Sequence, residues 1–275
     1  MNSLNSENDK KVEFGITLSG GGARGIAHIG VLAALEKYGI KPEIISGTSM
    51  GALVGVFYAA GYSPKEILDI VETRKLHKLI KWHMPFSGLI DMDKVNEILT
   101  ESIDPDNFSA LKLPFYCAVT NLNSGMMEVI SEGKLFQWVL ASASIPVVFE
   151  PQVIDGQTYV DGGLMNNLPA EAIRDKCKTL IGVHVNHNGP EKEVKGLKTI
   201  AERCFRLGIA QNVNDSKKLC DFFIEPPDTR DFSTFNFNKA KEIYQVGFDE
   251  TEKGILKIFE SVDLEKVLDL KRKNQ

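Results

Sequence analysis

The chain has 275 residues, 43% of them hydrophobic and 25% charged, with a net charge of −5. That is enough apolar content for a sizeable core, and the mildly acidic balance gives no general reason to bind nucleic acid. The longest nearly uncharged apolar stretch, 50–61, is too short to span a bilayer. The start, 1–11, is polar and has no apolar signal region, so a disordered leader, a single domain over 12–275 and a cytoplasmic location are expected. Cys117, Cys177, Cys204 and Cys220 show no CxxC and no metal-ligand spacing, which fits reduced thiols and no metal or other cofactor.

In chain order, "FGITL" reads as a short strand running into the loop "SGGGARG", and 26–40 has apolar residues at helical spacing with Gly39 as its stop. "PEIISGTS" reads as a second strand and "GALVGVFYAAG" as a second helix closed by Gly61. Ser63-Pro64 supplies an N-cap and first position for a helix over 65–76. Asp91 or Asp93 can cap the helix "KVNEILTESI". "FYCAVTNL" and "MMEVIS" are strand-like, and "KLFQWVLASAS" is helical until Pro146. "QVIDGQTYVDGG" is a hairpin pattern with Asp155-Gly156 at the turn. "TLIGVHVN" is a β-branched strand, 196–215 a helix, "DFFIEP" a last strand, and much of 239–272 is helical. Strands alternating with helices predict an α/β fold with a mainly parallel sheet covered on both faces.

Ser49 stands in "GTSMG", between a strand and an apolar helix. A tight turn there holds a hydroxyl up at the end of the sheet, and Gly47 and Gly51 relieve clashes between neighbouring backbones. The helix that follows aims its N-terminal N–H groups at any oxyanion formed at the serine. The plainer alternative is an ordinary strand-to-helix turn with Ser49 as N-cap. One strand–helix unit earlier, Gly20, Gly21 and Gly22 offer backbone N–H groups with no side chain in the way, as an oxyanion hole requires. Gly20-x-Gly22-x-x-Gly25 also fits a dinucleotide-binding loop, but the acid that reading needs after the next strand is missing. Glu43 precedes that strand, and Ser49 holds its end. A phosphate-binding P-loop fails for want of Gly-Lys-Ser/Thr.

A serine hydroxyl needs a base. Of His28, His77, His83, His184 and His187, chain order allows His184 or His187 to complete a triad, although none sits in a motif of its own. "YVDGGLMNNLP" offers Asp161 instead, at a strand end before Gly162 and Gly163; taken alone it is equally well a β-turn. The set "GGGARG" (20–25), "GTSMG" (47–51) and "DGG" (161–163), with "ASASIPVVFEP" (141–151) between, resembles the patatin-like phospholipase family over roughly 12–225. The resemblance implies a three-layer α/β/α sandwich with a central, mostly parallel sheet. It also implies Ser49 as nucleophile, Asp161 as its sole partner, and the loop from Gly20 to Gly25 as the oxyanion hole, with Gly20, Gly21 and Gly22 as its donors and Arg24 and Gly25 as motif support. Ser19 stands where plant members carry an aspartate, and Gly163 where many members have alanine.

The activity so implied is a serine lipid acyl hydrolase of phospholipase A or lysophospholipase type, without a metal. Its partner would be a phospholipid or another fatty-acyl ester, met by peripheral contact with a membrane. Segment 75–90 mixes lysines with Trp82, Met84 and Phe86, and 232–239 carries Phe232, Phe235 and Phe237; each reads either as an interfacial element or as packing on the core. The other functions left open are an esterase or acyltransferase for small soluble esters, and a non-catalytic nucleotide- or lipid-binding module.

Overall fold

A computed structural model describes residues 11–73, 92–146, 148–187, 194–234 and 236–261. Its centre is β1 (Val12–Leu18), buried over its last five residues. It lies between β2 (Ile44–Gly47) and β7 (Cys177–Val183), parallel to both. A strand covered on both edges and both faces has no polar side to show, hence the continuous "FGITL". β3 (Phe115–Asn121) and β8 (Phe222–Ile224) extend the parallel run beyond β2 and β7. β4 (Met126–Ile130), β5 (Gln152–Ile154) and β6 (Gln157–Asp161) are antiparallel additions, giving the order β5-β6-β3-β2-β1-β7-β8 with β4 beside β3. The sheet is the mainly parallel one the strand–helix alternation predicts.

The pairing of β3 positions everything that follows. Cys117 faces Gly47 of β2 and Ile130 of β4, while Val119 faces Asp161 of β6 and Glu128 of β4. A strand residue has two neighbours, so β4 fills one edge and β2 and β6 share the other. The C-terminal ends of β2 and β6 therefore meet head to head along β3, opposite residues only two apart.

The helices are α1 (Ala27–Lys37), α2 (Met50–Ala60), α3 (Pro64–Thr73), α4 (Met92–Ser102), α5 (Phe136–Ser142), α6 (Leu197–Lys217) and α7 (Ala240–Ser261). The main core lies on the face carrying Phe14, Ile16, Leu18, Ile181 and Val183, against Ile29 and Leu32 of α1 and Ile243 of α7. α1 and α7 cross at backbone distance. A Cβ on Gly30 would meet the Tyr244 carbonyl oxygen at 2.0 Å, and one on Gly247 the Ala27 carbonyl oxygen at 2.0 Å. The opposite face carries Ile44 and Leu180, one residue out of phase, against Ala170 and Ile173 in short 3-10 turns. α6 covers that side, with Ile209 and Val213 buried.

Local signals are met where the chemistry is local. Gly39 and Gly61 take positive φ at the ends of α1 and α2. Ser63 and Glu66 form a reciprocal capping box, Ser63 N–H donating to Glu66 Oε2 at 2.8 Å and Glu66 N–H to Ser63 Oγ at 3.3 Å. Asp155 and Gly156 take φ of 49° and 75° in a two-residue hairpin turn. Three expectations shift. A 3-10 turn, Gly22–Ile26, precedes α1, because the glycine loop bends before it can propagate a helix. α5 ends at Ser142, short of Pro146, and α4 begins at Met92, which puts Asp93 inside its first turn. Residues 1–10, 74–91 and 262–275 lie outside the described residues, and with them the leader, Asp91, His77, His83, segment 75–90 and the end of the last predicted helix.

Candidate active site

Ser49 sits between the end of β2 and the first residue of α2, with φ 55° and ψ −124°. A side chain in that region is strained by about 1–3 kcal/mol and persists only where its surroundings fix it. Here they do. Ser49 N–H donates to Ser142 Oγ at 2.9 Å, whose hydroxyl donates to the Ala118 carbonyl at 2.7 Å. Thr48 N–H donates to the Leu18 carbonyl and Thr48 Oγ1 to the Asn166 carbonyl. The flanking glycines are required by space. A Cβ on Gly51 would meet the Leu18 carbonyl oxygen at 2.3 Å, and one on Gly47 the Gly51 carbonyl oxygen at 2.6 Å. The N-terminus of α2 thus presses on the end of β1, and the helix directs its positive end at the serine.

Asp161 ends β6 and is 3% exposed. Its N–H donates to the Ser144 carbonyl, and its own carbonyl accepts from Thr120 Oγ1. Its Oδ1 accepts from Gly163 N–H at 2.7 Å, and the Ser49 hydroxyl stands near enough to the same carboxylate to favour its ionised form. Burial pushes its pKa up to about 6, against the pull of the Ser49 hydroxyl and the Gly163 N–H. A Cβ on Gly162 would meet the Ala118 carbonyl oxygen at 2.2 Å, so Gly162 lets the turn after Asp161 close onto β3.

The loop from Gly20 to Gly25 lies against Ser49. A Cβ on Gly20 would come within 3.0 Å of Ser49 Cβ. Gly20 N–H is engaged by the Asn167 carbonyl at 3.2 Å, so of the three glycine amides, those of Gly21 and Gly22 are the ones left to face a ligand. The loop is held from behind. Asn186 Nδ2 donates to the Gly20 carbonyl, His28 Nε2 to the Ser19 carbonyl, and Arg24 Nε to the Phe232 carbonyl. Gly22, at φ +55°, lies under Thr234, whose carbonyl accepts from Ala23 N–H. Gly25 makes room for Met50. Segment 232–239 therefore clamps this loop, with Phe237 in the core and Phe232 packed against it; Phe235 lies outside the described residues.

The described histidines are occupied elsewhere. His28 is fully buried in α1 and burial lowers its pKa to about 4. His184 pairs with Glu225 at 2.9 Å, and His187 stands 3.7 Å from the same carboxylate. No described histidine is bonded to Ser49 or Asp161. All four cysteines are free, and the described residues contain no group of three or more His, Cys, Asp or Glu placed to hold a metal.

Beside Ser49 a small apolar recess of about 20 Å³ touches Gly22, Met50, Leu53, Met92, Val95 and Phe149. Met50, Leu53 and Val95 also line a second cavity of about 50 Å³ between α2, α3 and α4, together with Val54, Phe57, Ile67, Ile70, Val71 and Ile98. Every residue lining this second cavity is apolar. Sequence patterning marks these side chains as core; that they leave a void beside the serine is visible only once three helices are placed. Asn167, buried beside Gly20, carries no motif of its own and escapes the sequence reading, as does Ser142.

A strained serine at a strand-to-helix elbow, beside a buried carboxylate on a mainly parallel sheet, places the chain among α/β proteins built around such an elbow. A family model described as patatin-like phospholipase matches residues 16–174, more than half of the sequence. The chain belongs to the patatin-like phospholipase family. It is 28% identical over 269 residues to lysophospholipase NTE1 of Saccharomyces cerevisiae, covering 86% of this chain and 16% of that protein. It is 27% identical over 271 residues to patatin-like phospholipase domain-containing protein 6 of Homo sapiens, covering 85% and 19%. The chain thus spans less than a fifth of the length of these relatives. Among solved structures, VipD from Legionella pneumophila shares the fold, with a TM-score of 0.51, 17% identity, and coverage of 89% of this chain and 66% of that one.

Proposed function

We propose that the chain is a serine hydrolase of fatty-acyl esters, of phospholipase A or lysophospholipase type, working through Ser49 and Asp161 alone. The observation that carries this reading is a strained elbow serine beside a buried carboxylate that it helps to keep ionised, with no described histidine bonded to either. The Asp161 carboxylate takes the Ser49 proton as Oγ attacks the ester carbonyl. The N–H groups of Gly21 and Gly22, with the positive end of α2, hold the oxyanion. The tetrahedral intermediate collapses, the leaving alcohol takes the proton back from Asp161, and the acyl group stays on Ser49. Water, deprotonated by Asp161, then releases the fatty acid. The acyl chain starts at the recess beside Ser49 and runs towards the apolar cavity between α2, α3 and α4. A lipid chain gains about 0.8 kcal/mol for each CH₂ transferred from water to such a site, which favours long esters over small soluble ones.

Peripheral contact with a lipid surface belongs to the same reading. Leu164 and Met165, directly after the Asp161-Gly162-Gly163 turn, are exposed. No described helix is long and apolar enough to cross a membrane.

The test is hydrolysis of p-nitrophenyl esters from acetate to palmitate, of lysophospholipid micelles and of phospholipid vesicles. Ser49→Ala and Asp161→Asn should each lose about 10⁴-fold in kcat, while His184→Ala/His187→Ala keeps most of its activity. Leu164→Ser/Met165→Ser should lower the rate on vesicles alone. Loss in the histidine variant with survival of Asp161→Asn would replace the dyad by a triad. Inactivity of the folded wild type on every ester would remove the enzyme reading.

A further inference from the structure

Gly20 and Gly163, from two distant segments, border the same side chain. A Cβ on Gly20 would meet Asn167 Oδ1 at 2.6 Å and Ser49 Cβ at 3.0 Å. A Cβ on Gly163 would meet Asn167 Oδ1 at 2.8 Å and Asp161 Oδ1 at 2.9 Å. The Asn167 carboxamide therefore stands in the space that two missing side chains leave between the serine and the aspartate. It is 2% exposed, and its Nδ2 has no hydrogen-bond partner in the protein. A buried NH₂ group without an acceptor is unfavourable and rare in folded proteins, and a ligand that supplies the acceptor removes the penalty.

The main chain of Asn167 sharpens the point. Its carbonyl takes the N–H of Gly20, removing one of the three glycine amides from service to an oxyanion. Its own N–H is held by Asn212 Oδ1 at 3.1 Å. The backbone is thus fixed from both sides, and what can still turn is the side chain. A turn of half a circle exchanges Oδ1 and Nδ2, and so brings the donor to the Gly20–Ser49 space.

We propose that Asn167 is a catalytic hydrogen-bond donor, whose side-chain amide bonds the substrate's carbonyl oxygen and strengthens that bond as the oxygen becomes an oxyanion. The inference rests on Ser49 being the nucleophile. An amide donor in a site with little water gains more from the negative oxygen of the transition state than from the neutral carbonyl of the ground state.

The experiment compares wild type, Asn167→Ala and Asn167→Asp; the second keeps the shape of the side chain should the first fail to fold. The readouts are kcat and KM on a long-chain p-nitrophenyl ester, the melting temperature, and the affinity of two probes. One probe is a long-chain trifluoromethyl ketone, to whose carbonyl Ser49 Oγ adds, leaving an oxyanion. The other is an ether analogue of the ester, which has no carbonyl. The expected result is a kcat lowered about 10²- to 10³-fold with KM little changed. The ketone should bind more weakly by a similar factor, and the ether equally well. Unchanged kcat, or ketone and ether affinities falling together, overturns the proposal. So does a loss that appears only as an upward move of the acidic limb of the pH profile, since Asn167 would then act through Asp161. A Ser49→Ala protein as active as wild type would instead remove the reading on which the inference stands.

Discussion

The chemistry at Asp161 is set by its lack of water. A carboxylate in solution titrates near 4 and is a poor base for a hydroxyl; burial raises Asp161 to about 6. The group remains ionised at neutral pH, yet holds a proton more firmly than an exposed aspartate. Under the proposed mechanism, kcat/KM should fall tenfold per pH unit below about pH 6, as Asp161 takes up the proton that blocks it. A free histidine titrates in the same range, so the control is His184→Ala, which should keep the limb in place. A flat profile from pH 7 down to 4.5 would exclude Asp161 as the base. The serine itself is best tested with alanine. Glycine would relieve the positive φ of Ser49, whereas alanine keeps the backbone strain and removes only the hydroxyl.

At the scale of elements, the turns and strands were legible because each depends on neighbours in sequence. The glycines that close α1 and α2, the Ser63–Glu66 box and the Asp155-Gly156 hairpin all follow from local rules. The meeting of Ser49 with Asp161 was suggested only by resemblance. Its physical cause is that β3 exchanges β2 for β6 along one edge, a fact of pairing that no short window of sequence contains. Phe232 and Phe237 were ambiguous for a similar reason. Their polar neighbours allow an exposed loop, but the loop folds back and buries Phe237. Asn167 was missed because its significance comes from two distant glycines rather than from its own surroundings in sequence. The same scale carries the prediction for acyl length. From Ser49 to Phe57, α2 rises about 12 Å, and Leu53, Val54 and Phe57 line the cavity along it. Val54→Phe should fill that space, lowering palmitate hydrolysis at least tenfold while acetate hydrolysis stays within about threefold. Equal effects on both esters would show that the acyl chain lies elsewhere.

Over the whole molecule, the site is held at the expense of stability. In the unfolded chain Asp161 titrates near 4 and in the folded protein near 6, so between these values the folded state binds more protons. Stability from this group is full below about pH 4 and is lost as pH rises through 6. The difference of about two units corresponds to about 3 kcal/mol at neutral pH. Asp161→Asn keeps an oxygen to accept from Gly163 N–H and removes the charge that burial disfavours. The variant should therefore be inactive and yet melt several degrees above wild type at pH 7.5, with the gap closing as pH falls towards 4. Urea denaturation midpoints at pH 4.5 and 7.5 give the same comparison without heating. If Asp161→Asn is less stable than wild type at both pH values, the hydrogen bonds to the carboxylate outweigh its desolvation. The base would then be a structural anchor as well as a reactive group. If the gap opens with pH as the burial implies, removing the charge stabilises the sheet by the amount that keeping an ionised carboxylate beside Ser49 costs the protein.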